Sequence, residues 1–171
     1  MEIKETIIGR SSGKPFLAIY RDIGSEKDIE GKKITGARAY CFCENRLVIV
    51  HESKGHWNLP GGGIEDGEDI RDGIRREVKE ETNMRIHKMR FVGLQEAHEP
   101  EGVRYYVRAV CLVEPNGDFK DDPGKEVTEI KLIDPTECIG MTDAHWGRIA
   151  ERMLQRALEL KGQMQAELGQ P

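Results

Sequence analysis

Three glutamates, Glu77, Glu80 and Glu81, crowd into the run RREVKEETNM at residues 75–84. Carboxylates this close repel one another, and a helix with no use for them would avoid that cost. At about 100° per residue they fall within an arc of roughly 100° on a helix. Ile70, Ile74 and Val78, spaced i, i+4 and i+8, set an apolar stripe whose edge overlaps the acidic arc. Carboxylates flanking a buried stripe need a cation. Arg75 and Arg76 could supply part of the charge, and a hard divalent metal bound through oxygen is the better candidate.

Something must deliver these side chains to one place, and the residues before them suggest how. Gly61, Gly62 and Gly63 let the backbone come close to a ligand or metal. The turn Glu65-Asp66-Gly67 then opens the helix, with Glu68, Asp69 and Asp72 favourable near its positive end. Three other glycine or acidic motifs fail here. No Gly-Lys-Ser/Thr follows to make a phosphate loop, the dinucleotide fingerprint lacks its third glycine spacing and its parallel unit, and the acidic residues lack the alternation of an EF-hand.

Gly62, five residues, Glu68, seven residues, then Arg76-Glu77-Val78-Lys79-Glu80-Glu81-Thr82-Asn83-Met84 resembles the Nudix box of the Nudix hydrolases, MutT among them. One fixed position departs from the pattern: Asn83 stands where the family has glycine. That position reads as a helix C-cap needing a left-handed backbone, for which Asn is the second choice after Gly. The resemblance covers the box directly and, by the order of elements, most of residues 36–160. It implies an α/β/α sandwich with a mixed sheet, and a Mg²⁺- or Mn²⁺-dependent hydrolase that cleaves a nucleoside diphosphate linked to another moiety: a nucleoside triphosphate, ADP-ribose or a nucleotide sugar. A non-catalytic Nudix module that only binds nucleotide is the alternative.

Carried over position by position, the resemblance assigns Glu77, Glu80 and Glu81 to the metal and to catalysis, together with the backbone carbonyl of Gly61. It assigns Glu68 and Arg76 to bracing the loop against the helix. The general base is open; Glu126, after Gly124-Lys125 and ahead of a strand, is the candidate, with Glu96, Glu99 and Glu129 as competitors. Trp57 and Tyr105, or Tyr106, could stack on a base, and Arg104 or Arg108 could reach phosphates, although core packing and solvent are the commoner fates of such residues. Pro100 lies where ADP-ribose-cleaving members tend to carry a proline.

The rest of the chain must position this site. Its 171 residues suit one domain, with a strand-rich lead-in over about 1–35 and a long helix over about 143–168. Residues 39–43 and 47–50 read as a hairpin, 91–97 and 103–113 as two strands, and 126–133 as another. Thr142 or Asp143 could cap the last helix. Its stripe of Trp146, Ile149, Ala150, Met153, Ala157, Leu160, Met164 and Leu168 is long enough to overrun the domain and meet a second copy as a homodimer; a frayed tail is the alternative. A net charge of −5 argues against a stable nucleic-acid complex and leaves room for a small phosphorylated nucleotide held through metal. No apolar stretch reaches membrane-spanning length and no signal peptide is evident, so a cytoplasmic, membrane-free protein is expected. Cys41, Cys43, Cys111 and Cys138 have neither zinc nor disulfide spacing and read as buried thiols, the first two on one face of a strand.

Overall fold

Runs that are apolar at every position, such as 39–43, 47–50 and 109–113, cannot sit in a sheet with one wet face; both faces must be covered. The computed structural model, which describes residues 1–9, 12–120, 122–142 and 146–169, places them at the centre of a mixed sheet between helices. Strand β3 (Ile34–Cys43) turns through Glu44 and Asn45 into β4 (Arg46–Glu52) and runs parallel to β8 (Gly102–Pro115). Beyond β8 come β7 (Met84–Glu99), β2 (Pro15–Asp22) and β1 (Glu2–Ile8), each antiparallel to its neighbour. On the other side β4 pairs with β5 (His56–Asn58) and β9 (Val127–Ile133), while the short β6 (Gly61–Gly63) pairs with β3.

Period-two alternation divides the core. Ala39, Cys41, Ala109 and Cys111 face Ile74 and Val78 of helix α1 (Ile70–Thr82). Tyr40, Phe42, Val110 and Leu112 face Ile149, Met153 and Ala157 of helix α3 (Gly147–Glu167). A single turn, α2 (Cys138–Met141), precedes α3. This is the α/β/α sandwich, with Cys41 and Cys43 on one side as expected and all four thiols free. No helix among the described residues is long and apolar enough to cross a membrane.

The strand-rich lead-in joins the sheet, where β1 and β2 extend it through β7. Two expectations need correction. Strands β7 and β8 are longer than the apolar runs alone suggest, because Arg85, His87, Lys88 and Arg90 alternate with buried Met84 and Met89 and so hid the first half of β7. The C-terminal helix does not overrun the domain. Met164 is 0% exposed in the chain's own core, and Lys88 and Arg90 of β7 both pair with Glu167. Only Leu158 and Leu168 remain exposed on that helix for a second copy, so the basis for a helix-mediated homodimer shrinks to these two.

Nor does Thr142 cap α3; its hydroxyl donates to the Cys138 carbonyl at 2.7 Å, and Asp143 lies outside the described residues. Instead Glu5 of β1 accepts the backbone N–H groups of Arg148 and Ile149 at 3.3 and 3.1 Å. A carboxylate at the positive end of a helix is favourable wherever in the chain it comes from.

Candidate active site

Helix α1 starts where Asp69 accepts the N–H groups of Arg71 and Asp72, at 2.9 and 3.2 Å, and ends at Asn83 with a left-handed backbone, φ 53° and ψ 36°. Between these caps it carries its acidic arc beneath β6. Gly61 adopts φ 140°, and an added Cβ would lie 2.2 Å from the Ala37 carbonyl oxygen, so only glycine fits. That close approach sets the Gly61 N–H 2.8 Å from Oε2 of Glu81, to which it donates.

Glu81 is 4% exposed, and no lysine or arginine among the described residues is ion-paired with it. Burial pushes its carboxyl up to about 8; the Gly61 N–H and the charge of Arg38 oppose the rise, and Glu77 and Glu52 add to it. Burial also raises Glu77, helped by the charges of Glu80 and Glu126 and opposed by Arg76. Glu80, at 40% exposed, faces solvent at the rim.

Arg76 is the hub. It grips Glu68 through two hydrogen bonds of 2.8 and 3.0 Å, donates to Glu77 at 2.6 Å and to the Gly63 carbonyl at 3.0 Å, and lies 3.6 Å from Glu80. Glu68 also accepts the Glu65 N–H at 3.0 Å, and these bonds hold its carboxyl down at about 2. Loop and helix are therefore tied by one guanidinium.

Three carboxylates, Glu68, Glu77 and Glu80, thus gather on one guanidinium, and Glu81 is not ion-paired with it. The second nearby cation, Arg38, is engaged with Glu52 at 2.8 Å and the Leu59 carbonyl at 2.6 Å. Among the described residues no three acidic, His or Cys side chains close on a common point in metal-ligand geometry. The donor set nevertheless suits a hard divalent cation: it is all oxygen, partly buried and short of positive charge.

Glu126 stands across from this arc on the loop before β9. Asp122, buried, folds that loop by accepting the N–H groups of Gly124, Glu126 and Val127 at 2.9, 2.8 and 3.0 Å. The Glu126 carbonyl accepts from the Ser53 N–H at 2.7 Å. Its side chain is exposed, and its charge acts on Glu77. Of its competitors, Glu96 is buried against Arg21 and His98, Glu99 pairs with Arg104 at 3.1 Å, and Glu129 lies on β9 opposite His51 of β4.

A cleft of about 670 Å³ opens from Gly62 and Gly63 towards the start of α3, lined by Arg38, Arg104, Arg108, Lys14, Tyr106, Phe16 and Trp146 among others. Phe16 and Trp146 meet edge to face at 5.7 Å. Arg104 is therefore placed at the cleft, and two other expected residues are not. Tyr105 points to the α1 side of the sheet, with Lys32 near its ring, so alternation brings Tyr106 to the cleft in its place. Trp57 packs against the α3-side core, with His51 at its edge and Lys131 4.4 Å from its ring centre. Lys14, Phe16, Arg38 and Trp146 were missed because no motif marks them; they meet only through the sheet order. A second cleft, about 890 Å³, lies beyond Glu80 between the end of α1 and the loop after β8.

Comparison with known proteins finds relatives of this chain in sequence and in fold. The chain is 28% identical over 123 residues to Nudix hydrolase 2 of Arabidopsis thaliana, covering 66% of this chain and 44% of that protein. It is 32% identical over 101 residues to a diphosphoinositol polyphosphate phosphohydrolase of Homo sapiens, covering 55% of this chain and 54% of that one. The chain thus spans about half the length of these relatives. A pyrophosphohydrolase of Bacillus subtilis shares the fold at a TM-score of 0.58 and 16% identity, over 68% of this chain and 72% of that chain. Residues 32–155 match the NUDIX domain family model, and the chain belongs to the Nudix family.

Proposed function

We propose that this chain is a Mg²⁺- or Mn²⁺-dependent pyrophosphohydrolase whose substrate is a nucleotide pyrophosphate, a nucleoside diphosphate joined to a further moiety. The observation that carries the reading is the charge imbalance at the end of α1, where buried Glu81 accepts a backbone N–H and, among the described residues, has no lysine or arginine ion-paired with it. A polyphosphate is itself anionic and cannot approach such a site without cations between the two.

Glu77, Glu80 and Glu81, with the Gly61 carbonyl, would hold the ion, which supplies charge neutralisation and an activated water when bound. Arg76 keeps the loop, the glycine strand and α1 in register by donating two bonds to Glu68 and one each to Glu77 and the Gly63 carbonyl. Glu126 takes the proton from the attacking water, its exposed carboxylate being carried on a loop that Asp122 makes rigid. Arg104 and Arg108 receive the phosphates that extend into the cleft, and Tyr106, Phe16 and Trp146 provide surfaces for a base or sugar. In this reading β1 and β2 belong to the same catalytic unit, since Lys14 and Phe16 line the cleft. A homodimer through the C-terminal helix would draw on Leu158, and on Leu168 just past its end, as the exposed large apolar residues there.

The test is a turnover screen with Mg²⁺ across ADP-ribose, nucleotide sugars, dinucleoside polyphosphates, nucleoside triphosphates and diphosphoinositol polyphosphates. Hydrolysis of a nucleotide member supports the proposal. Nucleotide binding without turnover would point to a non-catalytic module, and cleavage of the inositol compound alone would overturn the nucleotide assignment.

A further inference from the structure

The position at which this chain leaves the family pattern does something that glycine cannot. Asn83 caps α1 with its backbone, yet its side chain reaches out to the loop after β8. Nδ2 donates to the carbonyl oxygens of Asp118 at 3.0 Å and Asn116 at 3.4 Å, and the Asn116 N–H donates back to the Asn83 carbonyl at 2.9 Å. Both side-chain partners are carbonyl oxygens, so the amide nitrogen must be the atom that faces them. Three bonds thus fasten the first part of this loop to the C-cap of the helix that carries the acidic arc. A short run later the same loop reaches Asp122, whose three backbone bonds fix the presentation of Glu126.

We infer that Asn83 is a positioning residue, which clamps residues 116–118 to the end of α1, ahead of the Asp122 turn, and thereby keeps Glu126 facing the carboxylates of that helix. The physical need is plain. Glu126 is exposed on a loop and carries the same sign of charge as Glu77, Glu80 and Glu81, so repulsion drives a free loop outward. Loops also open locally at little cost unless their backbone bonds are satisfied within the fold. A glycine at residue 83 takes the left-handed backbone with less strain and keeps the bond from the Asn116 N–H, but it has no side chain with which to hold Asn116 and Asp118. The inference rests on the hydrolase reading for the role of Glu126, and on the three hydrogen bonds between Asn83 and the loop for the clamp.

Two variants separate the clamp from the cap. N83G keeps the cap and removes the donor; N83D keeps the size and left-handed tolerance but turns the donor into an acceptor. In hydrogen exchange on the full chain, both are expected to speed the amides of residues 116–120 on the order of fivefold, with α1 unchanged. With a cleaved substrate, kcat is expected to fall roughly tenfold in both, with KM within about twofold. In an E126Q background N83G should cost nothing further, because the two act as one unit. Wild-type exchange and kcat in N83G would reduce Asn83 to a helix cap and overturn the inference, as would losses that add in the double variant. A wild-type chain that cleaves nothing sinks the hydrolase reading instead; the exchange comparison then decides the clamp by itself.

Discussion

The carboxylate of Glu77 rests directly on the backbone of Gly62: a methyl group there would lie 2.7 Å from its Oε2. Glu77 cannot simply swing aside, because Arg76 holds it at 2.6 Å while also holding Glu68. Gly62→Ala is therefore expected to displace the acidic arc, costing about 1–3 kcal/mol of stability by overpacking and roughly a hundredfold in turnover. Urea unfolding and steady-state kinetics on the same preparation check both figures.

Glu81→Gln keeps the shape of the side chain and its acceptor for the Gly61 N–H while removing a carboxyl whose ionised form burial disfavours. Without metal the variant should be at least as stable as the wild type, with a melting temperature higher by about 2–4 °C for each kcal/mol of relieved desolvation. The wild type should gain stability on adding Mg²⁺ by mass action, and the variant should not. Thermal melts in chelator and in excess Mg²⁺ give the comparison; an equal Mg²⁺ response in both contradicts the role assigned to Glu81.

Asp22 anchors α3 to the sheet. Arg152 donates to it twice, at 2.6 and 3.2 Å, and Arg156 lies 3.8 Å away. Burial pulls the Asp22 carboxyl up, but the Arg152 bonds and the two arginine charges outweigh it and leave the carboxyl below its ordinary value. A depressed carboxylate stabilises the fold fully above its unfolded pKa of about 3.9 and loses that contribution as the pH falls through its lower folded value. Asp22→Asn should cost about 3 kcal/mol at neutral pH and flatten this acid limb. Unfolding free energies measured from neutral pH down to about pH 3 for both proteins check the sign.

Arg104 and Arg108 both line the cleft next to Gly62 and Gly63. If they hold phosphates in ground and transition states alike, Arg104→Ala and Arg108→Ala should each raise KM about tenfold and leave kcat within a factor of about two. A fall in kcat at unchanged KM would place either residue in the chemistry instead.

Local pattern served where the structure is local. The helix of residues 70–82, its left-handed end at Asn83 and the hairpin of β3 and β4 follow from spacing and cap chemistry. The buried strands follow from runs with no polar face. What the chain's linear order hides is everything assembled across the sheet. Glu5 caps a helix that begins more than 140 positions later, and Arg38 secures the strand that carries Gly61 from another element. Tyr106, and not Tyr105, meets the cleft because a strand's side alternates and nothing in the pair Tyr-Tyr fixes its phase. Met164 falls on a stripe that looks long enough to overrun the domain, yet it is buried in the chain's own core, and Lys88 and Arg90 of β7 grip Glu167 three residues on.

The most direct measurement is calorimetric titration of Mg²⁺ or Mn²⁺ into the wild type and into Glu77→Gln, Glu80→Gln and Glu81→Gln, with turnover of the best nucleotide pyrophosphate followed in parallel. The account predicts binding and hydrolysis in the wild type, weakened binding in each variant, and a loss of turnover of about a hundredfold or more. Undiminished turnover in the three variants, or hydrolysis that persists in excess chelator, would contradict it.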